Sequence, residues 1–321
     1  MTRNLARCSW LGAVCALTLI PGQRIAGQAP SATGSTDTPR AAREALLAAD
    51  RALSAAVRRD GLAAGLASVL GADGLVLFEG APIVAGPQAA TAVLGAPAEL
   101  GRLRVEWLPL AGLTSPDRSL GLTYGVTLVA DRTAGDSVGP RSSNYISVWR
   151  RRDGRWTLAA HVQTGVLSGP APIPPAVAVP VPAPAQRTDG SGARFARADL
   201  AFARLAGDSG AATAFATFVA PTGVVFAAAG ELLIGPDAVG RRMRENPNRS
   251  EWVWEPRYAG ASDDGELGFT VGEATITVTR GDDTSTFHSK YLTVWRRMAG
   301  GSIRFLVDGG NARPAPGRPS S

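Results

Sequence analysis

Apolar positions along this chain follow first a helical and then an alternating rhythm, and the whole pattern occurs twice. Leu46, Leu53 and Val57 are spaced for one face of a helix over about 40–59; Phe195, Phe202 and Leu205 or Ala206 repeat that stripe over about 193–206. A second short helix is predicted after each of Gly61 and Gly210, over 62–70 and 211–219. A short strand follows (Leu75 to Phe78, Val224 to Ala227), then a turn and a Gly-Pro pair that sets Pro87 or Pro236 at the first position of another helix. Four strands complete each copy; in the second they are predicted at about 251–260, 266–279, 286–297 and 302–309, between Gly-rich or Asp-rich turns. Local helices followed by sequential strands without helical crossovers indicate an α+β fold with an antiparallel sheet.

The copies also match residue by residue. Residues 46–90 align without a gap on 195–239, placing Ala49-Asp50 on Ala198-Asp199, Gly74-x-Val76 on Gly223-x-Val225 and Gly86-Pro87 on Gly235-Pro236. Leu120-Gly121-x-Thr123-x-Gly125 recurs as Leu267-Gly268-x-Thr270-x-Gly272, and Tyr145-x-x-Val148-Trp149-Arg150-Arg151 as Tyr291-x-x-Val294-Trp295-Arg296-Arg297. Solenoid units run about 20–50 residues, so a repeat of this length is a domain. The expected organisation is a leader at 1–28, a first domain at 40–166, a proline-rich spacer at 167–192, a second domain at 193–314 and a disordered tail at 315–321. At ~3.1 Å per residue, prolines 170 to 184 can bridge roughly 45 Å, enough for the domains to pack as an intramolecular pseudo-dimer.

Composition narrows the picture. The chain has 321 residues, 45% of them hydrophobic, which is ordinary globular material for two domains. Arg3 and Arg7, the apolar stretch Trp10 to Ile20 and the break at Pro21-Gly22 read as an export signal, predicting a periplasmic or extracellular protein with no stable membrane span once the signal is removed. Cys8 and Cys15 both fall inside that signal, so neither a disulfide, a thiolate nucleophile nor a cysteine-bound zinc is expected in the mature chain. The net charge of +6 does not mark a nucleic-acid partner: the second copy is balanced, the first only slightly basic, and no basic run is interleaved with aromatics. No phosphate-binding loop, dinucleotide fingerprint, Gly-x-Ser-x-Gly elbow or metalloprotease helix occurs, and two histidines in different domains supply no metal-ligand set. No cofactor and no metal is expected.

The order of three helices and a meandering sheet, with the two repeated motifs and a closing Val307-Asp308-Gly309-Gly310, resembles the SnoaL-like branch of the nuclear-transport-factor-two-like superfamily. The resemblance covers both copies and is stronger in the second; the first ends instead in Ala160-His161-Val162-Gln163. It implies two cone-shaped domains, each a curved antiparallel sheet wrapped on N-terminal helices with a pocket at the open end. The superfamily includes ketosteroid isomerases, polyketide cyclases, dehydratases and non-enzymatic binding modules, so the fold alone assigns no reaction.

Candidate chemistry concentrates on a few side chains. Asp50 and Asp199 lie on the apolar stripes of the first helices, where a carboxylate must be hydrogen-bonded or have its pKa raised. Each is either a general acid or base, or a tie between helix and sheet. Tyr145 with Trp149, and Tyr291 with Trp295, share one strand face, as oxyanion-stabilising and ligand-contacting groups or as aromatic core. Asp308 stands where the first copy has His161; Asp199, Tyr291 and Asp308 form the candidate catalytic set, while Asp50, Tyr145, Trp149, His161 and Trp295 are candidate ligand contacts. Strict alternation places Asp308 opposite Phe305 and Val307. Trp254 and its match Trp107, together with His288, complete the ligand-contact candidates, for a small apolar or aromatic molecule. Three function classes remain open: non-catalytic binding or scaffolding, a cofactor-free isomerase, cyclase or hydratase in the second domain, and a protein-interaction module.

Overall fold

The computed structural model describes residues 38–133, 141–164, 192–226, 232–245 and 249–316. The expected leader, most of the proline-rich spacer and the end of the tail lie outside the described residues. The described elements fall in one compact unit and form two copies of one architecture. The first comprises α1 (Pro39–Asp60), α2 (Leu62–Ala67), β1 (Leu70–Leu77), β2 (Ile83–Ala85), α3 (Pro87–Gly95), α4 (Ala98–Gly101), β3 (Leu103–Thr114), β4 (Leu120–Asp131), β5 (Arg141–Arg152) and β6 (Arg155–Thr164). The second comprises α5 (Gly192–Ser209), α6 (Ala211–Phe218), β7 (Val219–Phe226), β8 (Leu232–Ile234), α7 (Gly235–Arg244), β9 (Arg249–Ala261), β10 (Leu267–Arg280), β11 (Asp283–Arg297) and β12 (Ile303–Ala312). Among the described residues no helix is long and apolar enough to cross a membrane.

Local chemistry explains the helix limits. Thr38 caps α1 by accepting the Ala41 amide at 3.1 Å, Pro39 takes the first turn, and Arg58 and Arg59 lie at the negative end of the helix dipole. Gly61 and Gly210, at φ 88° and 82°, terminate the first helix of each copy in a region side chains avoid. The second helices stop earlier than their periodicity predicts, because Leu70 and Val219 already begin strands that pair with Leu158 and Phe305.

Each sheet has six strands, in the order β2-β1-β6-β5-β4-β3 and β8-β7-β12-β11-β10-β9. The four-strand meander is antiparallel as expected. The complete sheets are mixed, since β1 runs parallel to β6 and β7 parallel to β12, and the short strands β2 and β8 were not visible in the sequence pattern. One face of each sheet packs on its own helices. In the first copy that core is largely aliphatic, around Leu46, Leu53, Leu66 and Leu158; in the second the aligned positions are Phe195, Phe202, Phe215 and Phe305.

The opposite faces meet in a third core. Leu120, Leu122, Ile146, Val148 and Val162 pack with Leu267, Phe269, Val271, Leu292, Val294 and Val307, and all are buried. At about 25 cal/mol per Å² of apolar surface removed from water, an interface of this kind is held chiefly by the hydrophobic effect. Polar contacts fix its register. The Asp117 amide donates to Asp264 at 3.0 Å, and the Asp264 amide donates back to Asp117 at 2.7 Å. Asn311 Nδ2 donates to the carbonyls of Leu77 (2.9 Å) and Gln163 (2.7 Å), and the Gly80 amide donates to Ala312 O at 2.9 Å. Lys290, fully buried on β11, donates to Ala312 O at 2.7 Å with Glu79, Glu273 and Arg313 nearby.

Candidate functional site

Both copies build the same hydrogen-bonded relay between the first helix and the sheet. In the first, Asp50 accepts from the Tyr145 hydroxyl (2.5 Å) and the Thr123 hydroxyl (2.7 Å), while Trp149 Nε1–H donates to Thr123 at 2.9 Å. In the second, Asp199 accepts from Tyr291 (2.9 Å) and from Thr270, and Trp295 donates to Thr270 at 2.8 Å. The threonines explain the recurring Leu-Gly-x-Thr-x-Gly motif: the sequence displayed them, and their bridging role shows only when β4 and β10 are set against the helices. Glycine is required at both ends of the motif: a Cβ on Gly268 would lie 2.2 Å from the Phe195 ring, and one on Gly272 2.4 Å from the Tyr291 oxygen.

The copies then diverge at the tryptophans of β3 and β9. Trp254 Nε1–H donates to Asp199 at 2.8 Å. Its match Trp107 leaves Nε1 without a hydrogen-bond partner and instead sets its ring against His161, centroids 4.9 Å apart and edge-on, with Tyr145 at 6.1 Å. Trp107, Tyr145 and His161 are all buried. His161 Nδ1 shares a hydrogen bond with the Ser147 hydroxyl at 2.9 Å, and burial pushes its pKa down to about 3, so the ring is neutral. The candidate ligand contacts Asp50, Trp107, Tyr145, Trp149 and His161 are thus packed on one another.

In the second copy the corresponding space is open. A cavity of about 760 Å³ is lined by the rings of Phe202, Phe215, Trp252 and Trp254, with Phe287, half exposed, at its rim. Tyr291, Thr293 and Asp308 line its polar end, and His288 and Arg242 are half-buried lining residues. His288 Nδ1 lies 3.3 Å from the Thr275 hydroxyl. Asp199 and Trp295 do not line the cavity; Asp199 is fully buried behind Tyr291.

Asp308 faces this space because of a β-bulge. The β11–β12 register shifts between Val294 and Trp295, so Phe305 and Asp308 share the cone side while Val307 turns to the interface core. The alternation expected from sequence, with Asp308 opposite Phe305, fails at that extra residue. Thr293 donates to Asp308 Oδ2 at 2.5 Å, the same cross-strand pairing that joins Ser147 to His161.

Electrostatics separate the acids. Burial raises the Asp199 pKa to about 6 against the opposing bonds from Thr270, Trp254 and Tyr291. Burial raises Asp308 to about 7; Thr293 opposes the rise and the charge of Asp199 adds to it. Burial also raises Asp50, against its bonds from Tyr145 and Thr123, and holds Tyr291 well above the usual phenol range, so that hydroxyl remains a donor. Among the described residues no group of three or more His, Cys, Asp or Glu side chains could hold a metal ion.

No protein-family model and no curated protein matches the chain. Its solved neighbours include a ketosteroid isomerase-like protein from Erwinia carotovora atroseptica (13% identity, 39% of this chain and 98% of that chain, TM-score 0.35). A nuclear transport factor 2-like superfamily protein from Salmonella enterica matches at 10% identity over 41% of this chain and 96% of that one, with TM-score 0.33. A protein from Catenulispora acidiphila, solved in complex with S-DNPA, matches at 14% identity over 37% and 91%, with TM-score 0.31. The chain resembles nuclear-transport-factor-two-like proteins. The tandem α+β architecture itself stands on the strand order and helix placement of the two copies.

Proposed function

We propose that the second repeat binds a small, largely apolar molecule in its cone, and that the first repeat is its structural partner in an intramolecular pseudo-dimer. One observation carries this reading: of two copies with the same relay, the second has an open aromatic cavity ending in a carboxyl, where the first sets Trp107 against His161. A cavity of this size and lining suits a ligand of two or three fused rings. The reciprocal Asp117–Asp264 bonds and the shared apolar core support the pseudo-dimer. The leader-like first residues support export of such a binder.

Titration with N-phenyl-1-naphthylamine, neutral at pH 7, tests the binding reading. One molecule per chain is expected, with a dissociation constant on the order of 1–100 μM. Ala274→Phe, which fills the lining with a new ring, should weaken it at least about tenfold. Two equivalent sites per chain, or binding unaffected by the filled cavity, would contradict the assignment.

A second reading, cofactor-free acid–base catalysis in the same cavity, is favoured by an Asp308 carboxyl with a pKa near 7 beside the Tyr291 hydroxyl. It requires that the protein accelerate hydrogen–deuterium exchange at the carbon next to a bound ketone. The acceleration should fall about 100-fold or more in Asp308→Asn. Exchange no faster than in buffer would remove this reading and leave binding untouched.

A further inference from the structure

The polar end of the cavity has spent its donors. The Tyr291 hydroxyl donates to Asp199, the Thr293 hydroxyl to Asp308, and the Trp254 indole N–H to Asp199. Both Asn311 Nδ2 hydrogens go to carbonyls of the first repeat. What these groups turn to the cavity above the titration of Asp308 is therefore acceptor: its carboxylate and the lone pairs of the Tyr291 oxygen. Once Asp308 is ionised, a ligand carbonyl or carboxylate finds no uncommitted donor among Tyr291, Thr293, Trp254 and Asn311, and a carboxylate also meets the like charge of Asp308.

The charges point the same way. Asp199 on α5 and Asp308 on β12 interact as like charges behind and beside Tyr291, and Glu255 on β9 adds negative potential at that hydroxyl. The basic or titratable residues facing the cavity from other elements are Arg242 on α7, which has a partner of its own, and His288 on β11, which bonds to Thr275. Among the described residues Asp308 accepts a hydrogen bond from Thr293 alone. Much of the remaining wall is indole and phenyl rings, whose faces attract cations, beside Leu233, Met243 and Ile276. In the first repeat the second acid is replaced by neutral His161, and Trp107 sets its ring against it.

We infer that the ligand is a lipophilic amine, its ring system seated among Trp252, Trp254, Phe202 and Phe215 and its ammonium group donating to Asp308 and the Tyr291 oxygen. This rests on the binding reading above and names the chemical class it recognises. Binding converts Asp308 to the carboxylate, so affinity for the amine rises with pH through the titration of the free acid and levels off while the amine stays protonated. A neutral ligand of the same shape gains nothing from that ionisation.

The test compares 2-naphthylmethylamine with 2-naphthylmethanol, the same skeleton without the charge, by calorimetry between pH 5.5 and 8.5. The amine is expected to bind at least about tenfold more tightly at pH 8, and to lose about tenfold of that advantage by pH 5.5. Asp308→Asn, shown to be folded by circular dichroism, should bring the ratio of the two dissociation constants to about one at every pH. Equal or tighter binding of the alcohol at pH 8, or an amine preference that survives in Asp308→Asn, overturns the inference. Binding of the alcohol without amine preference leaves the pocket assignment standing; binding of neither compound removes the pocket assignment and this inference with it.

Discussion

Asp50→Ala and Asp199→Ala will each lower folding stability by about 3–5 kcal/mol, and by similar amounts, although only Asp199 lies behind an open cavity. Each carboxyl is a shared acceptor. Removing Asp50 strands the hydroxyls of Tyr145 and Thr123 in a buried site; removing Asp199 strands Tyr291, Thr270 and the Trp254 indole. Each unsatisfied buried donor costs about 1–3 kcal/mol, and the vacated space adds a smaller cavity term. Tyr145→Phe and Tyr291→Phe, which remove one donor and leave the acceptor partly satisfied, should cost only about 1–2 kcal/mol. Urea unfolding followed by tryptophan fluorescence checks the series. An Asp199→Ala protein with unaltered stability would assign that residue to chemistry instead of architecture.

Lys290→Met is expected to stabilise the protein by about 2–4 kcal/mol near pH 6, with the gain fading toward pH 10. Burial pushes the Lys290 ammonium down to about 7, with Arg313 adding to the fall and Glu79 and Glu273 opposing it. The folded state therefore binds fewer protons than the unfolded chain between about pH 7 and 10.5, and wild-type stability rises with pH across that window. Below it the ammonium is charged in both states and its burial opposes folding in full. Methionine removes the penalty at the loss of one hydrogen bond to Ala312 O. The acids act in the opposite sense: Asp199 and Asp308, raised to about 6 and 7, contribute stability that is fully present below pH 3.8 and lost as pH climbs through those values. Thermal melts of wild type and Lys290→Met from pH 5 to 10 separate these slopes. A variant less stable than wild type at pH 6 would show that the hydrogen bond and the two glutamates outweigh burial.

Much of the fold was legible because large side chains mark it. Paired Trp149 and Trp295, Tyr145 and Tyr291, and Gly-Pro at 86–87 and 235–236 align the copies, and helical and alternating periodicities separate helices from strands. The parallel joins of β1 to β6 and β7 to β12 were not legible, because pairing direction leaves no local period. The site was read only in part. Period two fails at the Val294/Trp295 bulge, which brings Asp308 to the side occupied by Phe305. Nor could alignment show which cone is open, since Trp107 and Trp254 are the same residue at matched positions. One turns its ring to His161 and the other its indole N–H to Asp199, a choice set by the neighbours and not by the residue type.

Lys290 is the sole lysine of the polypeptide, and it has no solvent-exposed surface. Acylating reagents aimed at ε-amines will accordingly find no side-chain target while the two sheets remain together. Incorporation of a single acyl group at that position becomes a clock for their separation, read directly by peptide mass.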